Sequence, residues 1–561
     1  MLARNLLFSV VCLAAVAAVT ASVASWSTPH AREAIAWDAD SVRQTAHAVN
    51  AAFRAAWKAQ GLEPAGAADE LTVARRISLG LTGTVPSLEE IRRIEAWPQG
   101  KRIDRWLAET LADRRYADFV AERLARAFVG VDDGPFLLFR RRRFVSWLSD
   151  QMAVNEPYDR IVRHLIADSG LWTDTPATNF VTVTIDPEAE TGPDESQLAA
   201  RVARAFLGVR IDCAECHDHP FESWKQSDFQ GLAAFFGQTQ QSLRGIRDAK
   251  GEYEIENRES GKLETIACRV PYQPELLPAS GSRRERLAGW VTHHANRSFT
   301  REAVNRAWAM LFGRPLVEPI DNLSAANELP PALDVLADDF AAHHYDFRRL
   351  IEVIAATEVF RLDSQLAPAA ADAVRPAAAS AAADDGREQS AADGNNAIEK
   401  HQAAWAAFPL TRLRPEQVVG ALLQSASLST IDASSHILVR FARTIGQNDF
   451  VRRYGDSGAE EFAAHGGTIP QRLVMMNGEI VFDKTKESLL ANAATRIATL
   501  APDDKTAVEI AFLAVLTRRP DDVESRVFVQ RLAGTTGSER NERLGDLYWA
   551  LLNGAEFSWN H

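Results

Sequence analysis

Apolar residues recur at three- and four-residue spacing through most of this 561-residue chain, and this periodicity constrains the fold more than any other feature of the sequence. The stretch SVRQTAHAVNAAFRAAWKAQGL at 41–62 is one clear case. Another, DELTVARRISLGLTG, starts on Asp69 and stops near Gly83. A third, SLEEIRRIEAW, opens with Ser87 and Glu90 at the spacing of a capping box. The sequence therefore predicts a mainly α protein.

Two stretches depart from the helical pattern and favour short strands. NFVTVTID at 179–186 is rich in β-branched residues, and GEYEIENRESGKLETIACRVPYQP at 251–274 alternates polar and apolar positions at its start. We expect them to form a small β element close to the cysteine-rich stretch at 210–229.

A compositional break divides the helical pattern in the second half of the chain. Residues 366–397, LAPAAADAVRPAAASAAADDGREQSAADGNNA, are rich in Ala, Asp, Ser and Pro and contain almost no large apolar side chain. Such a segment buries too little apolar surface to offset the entropy lost on ordering. It predicts a disordered Ala/Asp-rich linker, bounded at 366–400, in a protein of two helical domains.

The N-terminal stretch MLARNLLFSVVCLAAVAAVTASVASWSTPH has the composition of an export signal. Arg4 supplies the positive start, the chain is uncharged from Asn5 to Pro29, and the small residues of ASVAS suit a signal peptidase. The apolar run is also long enough to remain as a membrane anchor. We therefore expect an exported protein, periplasmic or in the cell envelope, with residues 1–30 either cleaved or retained.

The charge balance excludes one class of partner. The formal net charge is −13 and the isoelectric point is about 5.6. Nucleic-acid binding needs a basic face for the phosphates, so we expect no nucleic-acid partner. The sequence also contains no GxxxxGK[ST] motif and no strand-embedded GxGxxG, so a nucleotide cofactor has no support.

The cysteines concentrate in one motif, CAECH. Of four cysteines, Cys12 lies in the N-terminal stretch, which leaves Cys213, Cys216 and Cys268. An odd number suits a disulfide framework poorly, because one thiol is left over. A function that uses Cys213 and Cys216 together accounts better for the count.

CxxCH is the attachment signature of c-type haem. Two thiols three residues apart on one helical turn reach the two vinyl groups, and the next residue, His217, places its imidazole under the iron. Attachment of such a haem outside the cytoplasm agrees with export. A distal ligand stays open: His219 is too close in sequence to reach the opposite face, and Met475 and Met476 are distant candidates.

Two other interpretations stay open. The cluster of His217, Asp218 and His219, together with the cysteines, has ligand types suited to Zn²⁺ or another transition metal, with Asp212 and Glu222 as supporting carboxylates. Such a site would belong to a metal-dependent enzyme. Alternatively, Cys213 and Cys216 are a structural pair in a non-catalytic scaffold or interaction protein.

The motifs resemble a known pair of domains. CAECHDHPFESWKQSDFQGLAAFF is similar to the core of the DUF1549 domain, planctomycete cytochrome domain 2 (PSCyt2), and ARRISLGLTGTVPSLEEI and NEPYDRIVRHLIADSG precede it in the expected order. SFTREAVNRAWAMLFGRPLVEPIDNL, LRPEQVVGALL and IPQRLVMMNG resemble parts of the companion DUF1553 (PSD1) domain. The resemblance covers nearly everything except the signal and the linker.

The resemblance implies an exported helical protein with a cytochrome-like motif. Many members carry a further N-terminal cytochrome c domain, whereas this chain has only one CxxCH string, so Cys213, Cys216 and His217 are its sole haem-attachment candidates. The expected function is electron transfer or redox support of an extracytoplasmic pathway, with a redox or pathway partner of unknown identity. The predicted divisions are 1–30 (signal or anchor), 38–250 (DUF1549-like), 251–280 (connecting), 281–365 (DUF1553-like, first part), 366–400 (linker) and 401–561 (DUF1553-like, second part).

Overall fold

The protein is mainly α-helical, as the periodicity predicts. The computed structural model describes residues 39–132, 139–186, 192–256, 261–326, 328–366, 396–432, 450–455, 462, 467–489 and 492–561. The helices before the β segments are α1 (Ala39–Gln60), α2 (Glu70–Thr82), α3 (Leu88–Ala96), α4 (Arg102–Ala112), α5 (Arg114–Val129), α6 (Arg141–Ala153), α7 (Tyr158–Ala167), α8 (Asn179–Thr182), α9 (Glu195–Val202) and α10 (Gln226–Ala233). The later helices are α11 (Arg283–Val291), α12 (Arg297–Phe312), α13 (Pro331–Ala342), α14 (Phe347–Ala356), α15 (Glu358–Arg361), α16 (Pro415–Ser425), α17 (Ile469–Asn477), α18 (Glu479–Thr485), α19 (Ala493–Leu500), α20 (Asp504–Leu516), α21 (Asp522–Leu532) and α22 (Gly537–Leu552).

Local capping signals fix the helix ends that the sequence predicts. The Asp69 carboxylate accepts hydrogen bonds from the first backbone amides of α2. The same helix ends at Gly83, whose φ of +67° is a left-handed conformation that glycine adopts without strain. Ser87 and Glu90 form the predicted reciprocal capping box at the start of α3.

The strands are short antiparallel pairs. They are β1 (Thr239–Ser242) with β2 (Gly245–Asp248), β3 (Glu254–Glu256) with β4 (Leu263–Thr265), and β5 (Thr411–Arg412) with β6 (Trp559–Asn560). The first two pairs follow the CxxCH motif in the chain, which agrees with the predicted small β element.

The predicted strand at 179–186 is wrong. A 3₁₀ turn at Pro176–Thr178 leads directly into α8, and the chain then turns. The reason is burial: the adjacent residues Phe180 and Val181 are both fully buried, whereas a strand would point them to opposite faces. Phe180 packs on Phe206, with ring centroids 5.5 Å apart.

Two hydrophobic cores organise the described residues. The first is built mainly from α1 to α15; Phe53 of α1, for example, stacks on Trp308 of α12 at 5.7 Å. The second gathers residues of α16 to α22, together with Leu79 and Val85. The first core includes side chains from both sides of the predicted connecting segment 251–280. The segments before and after it are thus packed into one unit, while the proposed domain limits stay predictions.

Two sequence predictions fall outside the described residues. These are the signal or anchor at 1–30 and nearly all of the linker, whose residues 367–395 are not described. Within the described ranges, no helix combines the length and the apolar character needed to cross a bilayer.

Candidate functional site

The chain enters the CxxCH motif through a sharp break rather than along one helix. Helix α9 continues as a π-helical turn, Ala203–Leu207, and ends at Gly208, whose φ is +60°. A Cβ at Gly208 would lie 3.3 Å from Cγ of Glu302 and 3.1 Å from Leu323 Cδ1, so only glycine fits comfortably. The motif therefore begins on an element separate from α9.

Both motif thiols lie on one short turn and are free. Residues Asp212–Glu215 form a 3₁₀ turn, and Cys216 follows it with helical backbone angles. Side chains at positions i and i+3 eclipse in 3₁₀ geometry, so Cys213 and Cys216 are presented on the same side. Both are exposed and neither forms a disulfide, while Ala214 between them is fully buried and fixes the turn to the first core.

The His217 imidazole has one nitrogen engaged and one open. Its Nδ1 lies 2.8 Å from the carbonyl oxygen of Asp218. A carbonyl only accepts, so Nδ1 donates, and the neutral ring then carries its lone pair on Nε2. The side chain is exposed. This is the tautomer in which a histidine binds a metal through Nε2.

His219 is in the opposite tautomer. Its Nδ1 accepts hydrogen bonds from the backbone amides of Glu222 at 3.0 Å and Phe221 at 3.3 Å. The neutral ring therefore carries its proton on Nε2, which leaves no free lone pair. His219 organises the turn that follows the motif, and its backbone amide donates to the Trp224 carbonyl at 2.8 Å.

The remaining member of the predicted metal set is also occupied. The Asp218 carboxylate accepts from the backbone amide of Gln226 at 2.9 Å, at the start of α10. Among the described residues, no group of three or more His, Cys, Asp and Glu side chains is gathered to hold a metal ion. The structure thus places His217, Asp218 and His219 next to one another without converging them on one point.

Glu222 ties the motif loop to the segment after α12. Its carboxylate accepts hydrogen bonds from Ser324 Oγ at 2.6 Å and Asn322 Nδ2 at 3.1 Å, and from the indole of Trp224 at 2.8 Å. Burial alone would raise the pKa of Glu222, but these donors outweigh it and hold the pKa below its usual range. Glu222 is therefore a charged anchor of the loop.

Two ion pairs fix the start of the motif. Arg204 donates to the Asp212 carboxylate at 2.9 Å, and Arg210 donates to Asp321 at 2.9 Å. Asp212 precedes Cys213, so these pairs hold the turn that presents the thiols. Asp212 thus has a structural partner in Arg204, while its supporting role in a metal site stays a prediction.

The other candidate ligands lie in different surroundings. Cys268 is half-buried, its thiol donates to the Ala234 carbonyl at 3.2 Å, and burial raises its pKa. Met475 is buried in the second core, whereas Ala214 of the motif belongs to the first. Met476, on the same helix, is exposed. Neither methionine shares a core with the motif.

Sequence reasoning missed the residues that hold the motif from across the fold. Asp321, Asn322 and Ser324 bind Arg210 and Glu222 from about a hundred positions away, and no local spacing indicates such contacts. Asp321 and Asn322 lie at the end of the stretch SFTREAVNRAWAMLFGRPLVEPIDNL, which resembles the DUF1553 domain. That resemblance does not indicate that either residue contacts the motif.

Fold and site together define a class: a mainly helical protein in which an exposed CxxCH turn is anchored by the segment after α12. The family model of PSCyt2, a protein of unknown function (DUF1549), matches residues 48–241, and that of PSD1, a protein of unknown function (DUF1553), matches residues 283–448. The chain belongs to the DUF1549 and DUF1553 families, as the motifs indicate. No curated protein and no solved structure matches it.

Proposed function

We propose that this protein is an exported c-type-cytochrome-like protein that binds one haem covalently through Cys213 and Cys216, with His217 as axial ligand. Its role is electron transfer or redox support of a pathway in the periplasm or cell envelope, with a redox protein as partner. A haem bound there supplies one-electron chemistry.

The hydrogen bond from His217 Nδ1 to the Asp218 carbonyl is the observation that carries this proposal. It leaves Nε2 as the open nitrogen beside two free thiols that lie on one side of a turn. This donor set fits a covalently attached haem. The alternative metal set fits less well, because His219 and Asp218 already bind backbone amides.

The test is expression of the full chain in a periplasm that contains the haem c maturation machinery. We expect a coloured protein whose haem stays attached after denaturation and adds the mass of one haem. The double variant Cys213→Ser/Cys216→Ser should be colourless, whereas Cys268→Ser, the matched control at a half-buried thiol, should retain the haem.

Elemental analysis of the same preparations distinguishes the alternatives. If the wild-type protein is colourless and contains zinc, the motif is a metal site without haem. If the wild-type protein is colourless and contains no metal, the remaining interpretation is a scaffold protein with a structural cysteine pair. Either result overturns the haem proposal.

A further inference from the structure

A cavity lies far along the chain from the motif, between helices α1, α4 and α14. Its volume is about 360 Å³, within the range of small-molecule sites. Residues at helical spacing between Ala39 and Asn50 of α1 line the cavity. Helix α4 contributes Asp104, Leu107 and Ala108 to the wall. Each of the three helices therefore contributes one face to the wall of this cavity.

Small side chains leave this hollow open. Ala46, Ala108 and Ala356, one from each helix, line the cavity at positions where a larger apolar residue would fill it. Val42 and Leu107 add apolar surface. Half of the lining residues are apolar, and the other half carry polar or charged groups: Arg43, His47, Asn50, Asp104, Glu352 and Arg361.

Most charges in the wall are already matched. Arg361 pairs with Asp104 at 3.0 Å, and Arg43 pairs with Asp40. The guanidinium groups at the rim therefore do not leave an excess positive charge in the cavity.

Glu352 is the exception. Its carboxylate lines the cavity, and no described residue donates a hydrogen bond to it or places a cation within ion-pair distance. The side chain is half-buried. Burial raises its pKa and repulsion from Asp346 adds to this shift, while attraction from Arg349 and Arg348 opposes the shift without cancelling it.

We propose that this cavity binds a small organic cation, with an ammonium group on an apolar body, through an ion pair to Glu352. The apolar body covers Val42, Leu107 and the alanines, and the ammonium forms the direct ion pair with Glu352 that no described residue makes. This site is independent of the haem proposal, since it shares no residue with the motif.

The test is calorimetric titration of the full chain near pH 7.5 with three probes of one shape: benzylammonium, benzyl alcohol and benzoate. We expect benzylammonium to bind about tenfold or more tightly than either other probe, because only the ammonium probe can form a charge-assisted hydrogen bond to the Glu352 carboxylate. Equal binding of the three probes, or no binding of benzylammonium, overturns the proposal.

Two variants test separately the charge of Glu352 and the open volume of the cavity. Glu352→Gln keeps the shape and should weaken benzylammonium binding about tenfold, and Ala356→Leu keeps the charge and should abolish binding by filling the cavity. Glu63→Gln, at an exposed carboxylate outside the cavity, is the matched control and should bind as the wild type does. Undiminished binding by Glu352→Gln would contradict the assignment even if the other variant failed to fold.

Discussion

Ser324 donates a hydrogen bond of 2.6 Å to the carboxylate of Glu222, and this contact joins positions 102 residues apart in the chain. Glu222 lies in the loop after the CxxCH motif, and Ser324 lies in the short turn after α12. The DUF1549 segment therefore presents the motif, while a residue of the DUF1553 segment holds it in place.

Ser324→Ala should loosen the motif loop without unfolding the protein. A hydrogen bond to a charged acceptor contributes about 1.5–3 kcal/mol, and two other donors to Glu222 remain. We expect the backbone amide of His219 to exchange with solvent about tenfold or more faster in native-state hydrogen exchange. Ser223→Ala, at an exposed hydroxyl in the same loop, is the control. Unchanged exchange in the Ser324 variant would mean that this contact does not restrain the loop.

The two histidines of the motif should behave differently once haem is attached. His217→Ala should alter the ligand-field spectrum of the iron, because it removes the open Nε2. His219→Ala should leave that spectrum unchanged and only destabilise the turn, since its Nδ1 accepts from two amides. Absorption spectra of both variants at equal haem content provide the measurement. A reversed pattern would transfer the ligand role to His219.

Arg76 should be among the most sensitive positions for stability. Its fully buried guanidinium donates to the carbonyls of Phe360, Leu362 and His561 at 2.7–2.9 Å and lies over the Phe408 ring at 3.6 Å. Arg76→Met would leave three acceptors without these donors. We expect the free energy of unfolding to fall by about 3 kcal/mol or more in denaturant titrations.

An exposed arginine provides the comparison for that measurement. Arg105→Met removes the same charge from the exposed face of α4 and should change the free energy of unfolding by about 0.5 kcal/mol or less. Similar losses in the two variants would show that charge, rather than the buried hydrogen bonds, is responsible.

The buried acid Glu302 should make stability depend on pH. Burial raises the pKa of Glu302 to about 7, although Arg306 opposes the shift through a hydrogen bond of 2.7 Å to the carboxylate. Between its ordinary pKa of 4.5 and about 7, the folded protein keeps a proton that the unfolded chain has released. The folded state binds more protons, so this group's contribution to stability is lost as pH rises through that window.

Glu302→Gln should flatten this dependence. We expect the free energy of unfolding of the wild type to fall between about pH 5 and 7, with a contribution from Glu302 of at most about 1.4 kcal/mol per pH unit. Denaturant titrations across this range should give a smaller slope for Glu302→Gln, and an unchanged slope for the exposed control Glu63→Gln. Parallel profiles for wild type and Glu302→Gln would contradict the raised pKa.

Local features of the structure were predictable because local residues decide them. Asp69, Gly83 and the pair Ser87 and Glu90 end or begin helices through contacts within three or four positions, so the sequence contains the whole interaction. The CxxCH string was equally visible, and its two thiols do lie on one turn.

The prediction of a strand at 179–186 was wrong because tertiary surroundings, rather than local residues, decide the structure there. β-branched residues favour a strand only if the surroundings offer a partner strand and one apolar face. Here the surroundings bury consecutive residues, with Phe180 against Phe206, and the backbone satisfies its hydrogen bonds in helical turns instead.

The sequence by itself determined a mainly helical chain of the DUF1549 and DUF1553 families and the cysteine pair with its adjoining histidine. Only the tertiary structure decided which imidazole keeps an open nitrogen, which carboxylates already have partners, and that Ser324 anchors Glu222. The physical reason is the range of the interactions: caps and turns form between near neighbours, whereas tautomers, ion pairs and cavities depend on groups that meet only after the chain has folded.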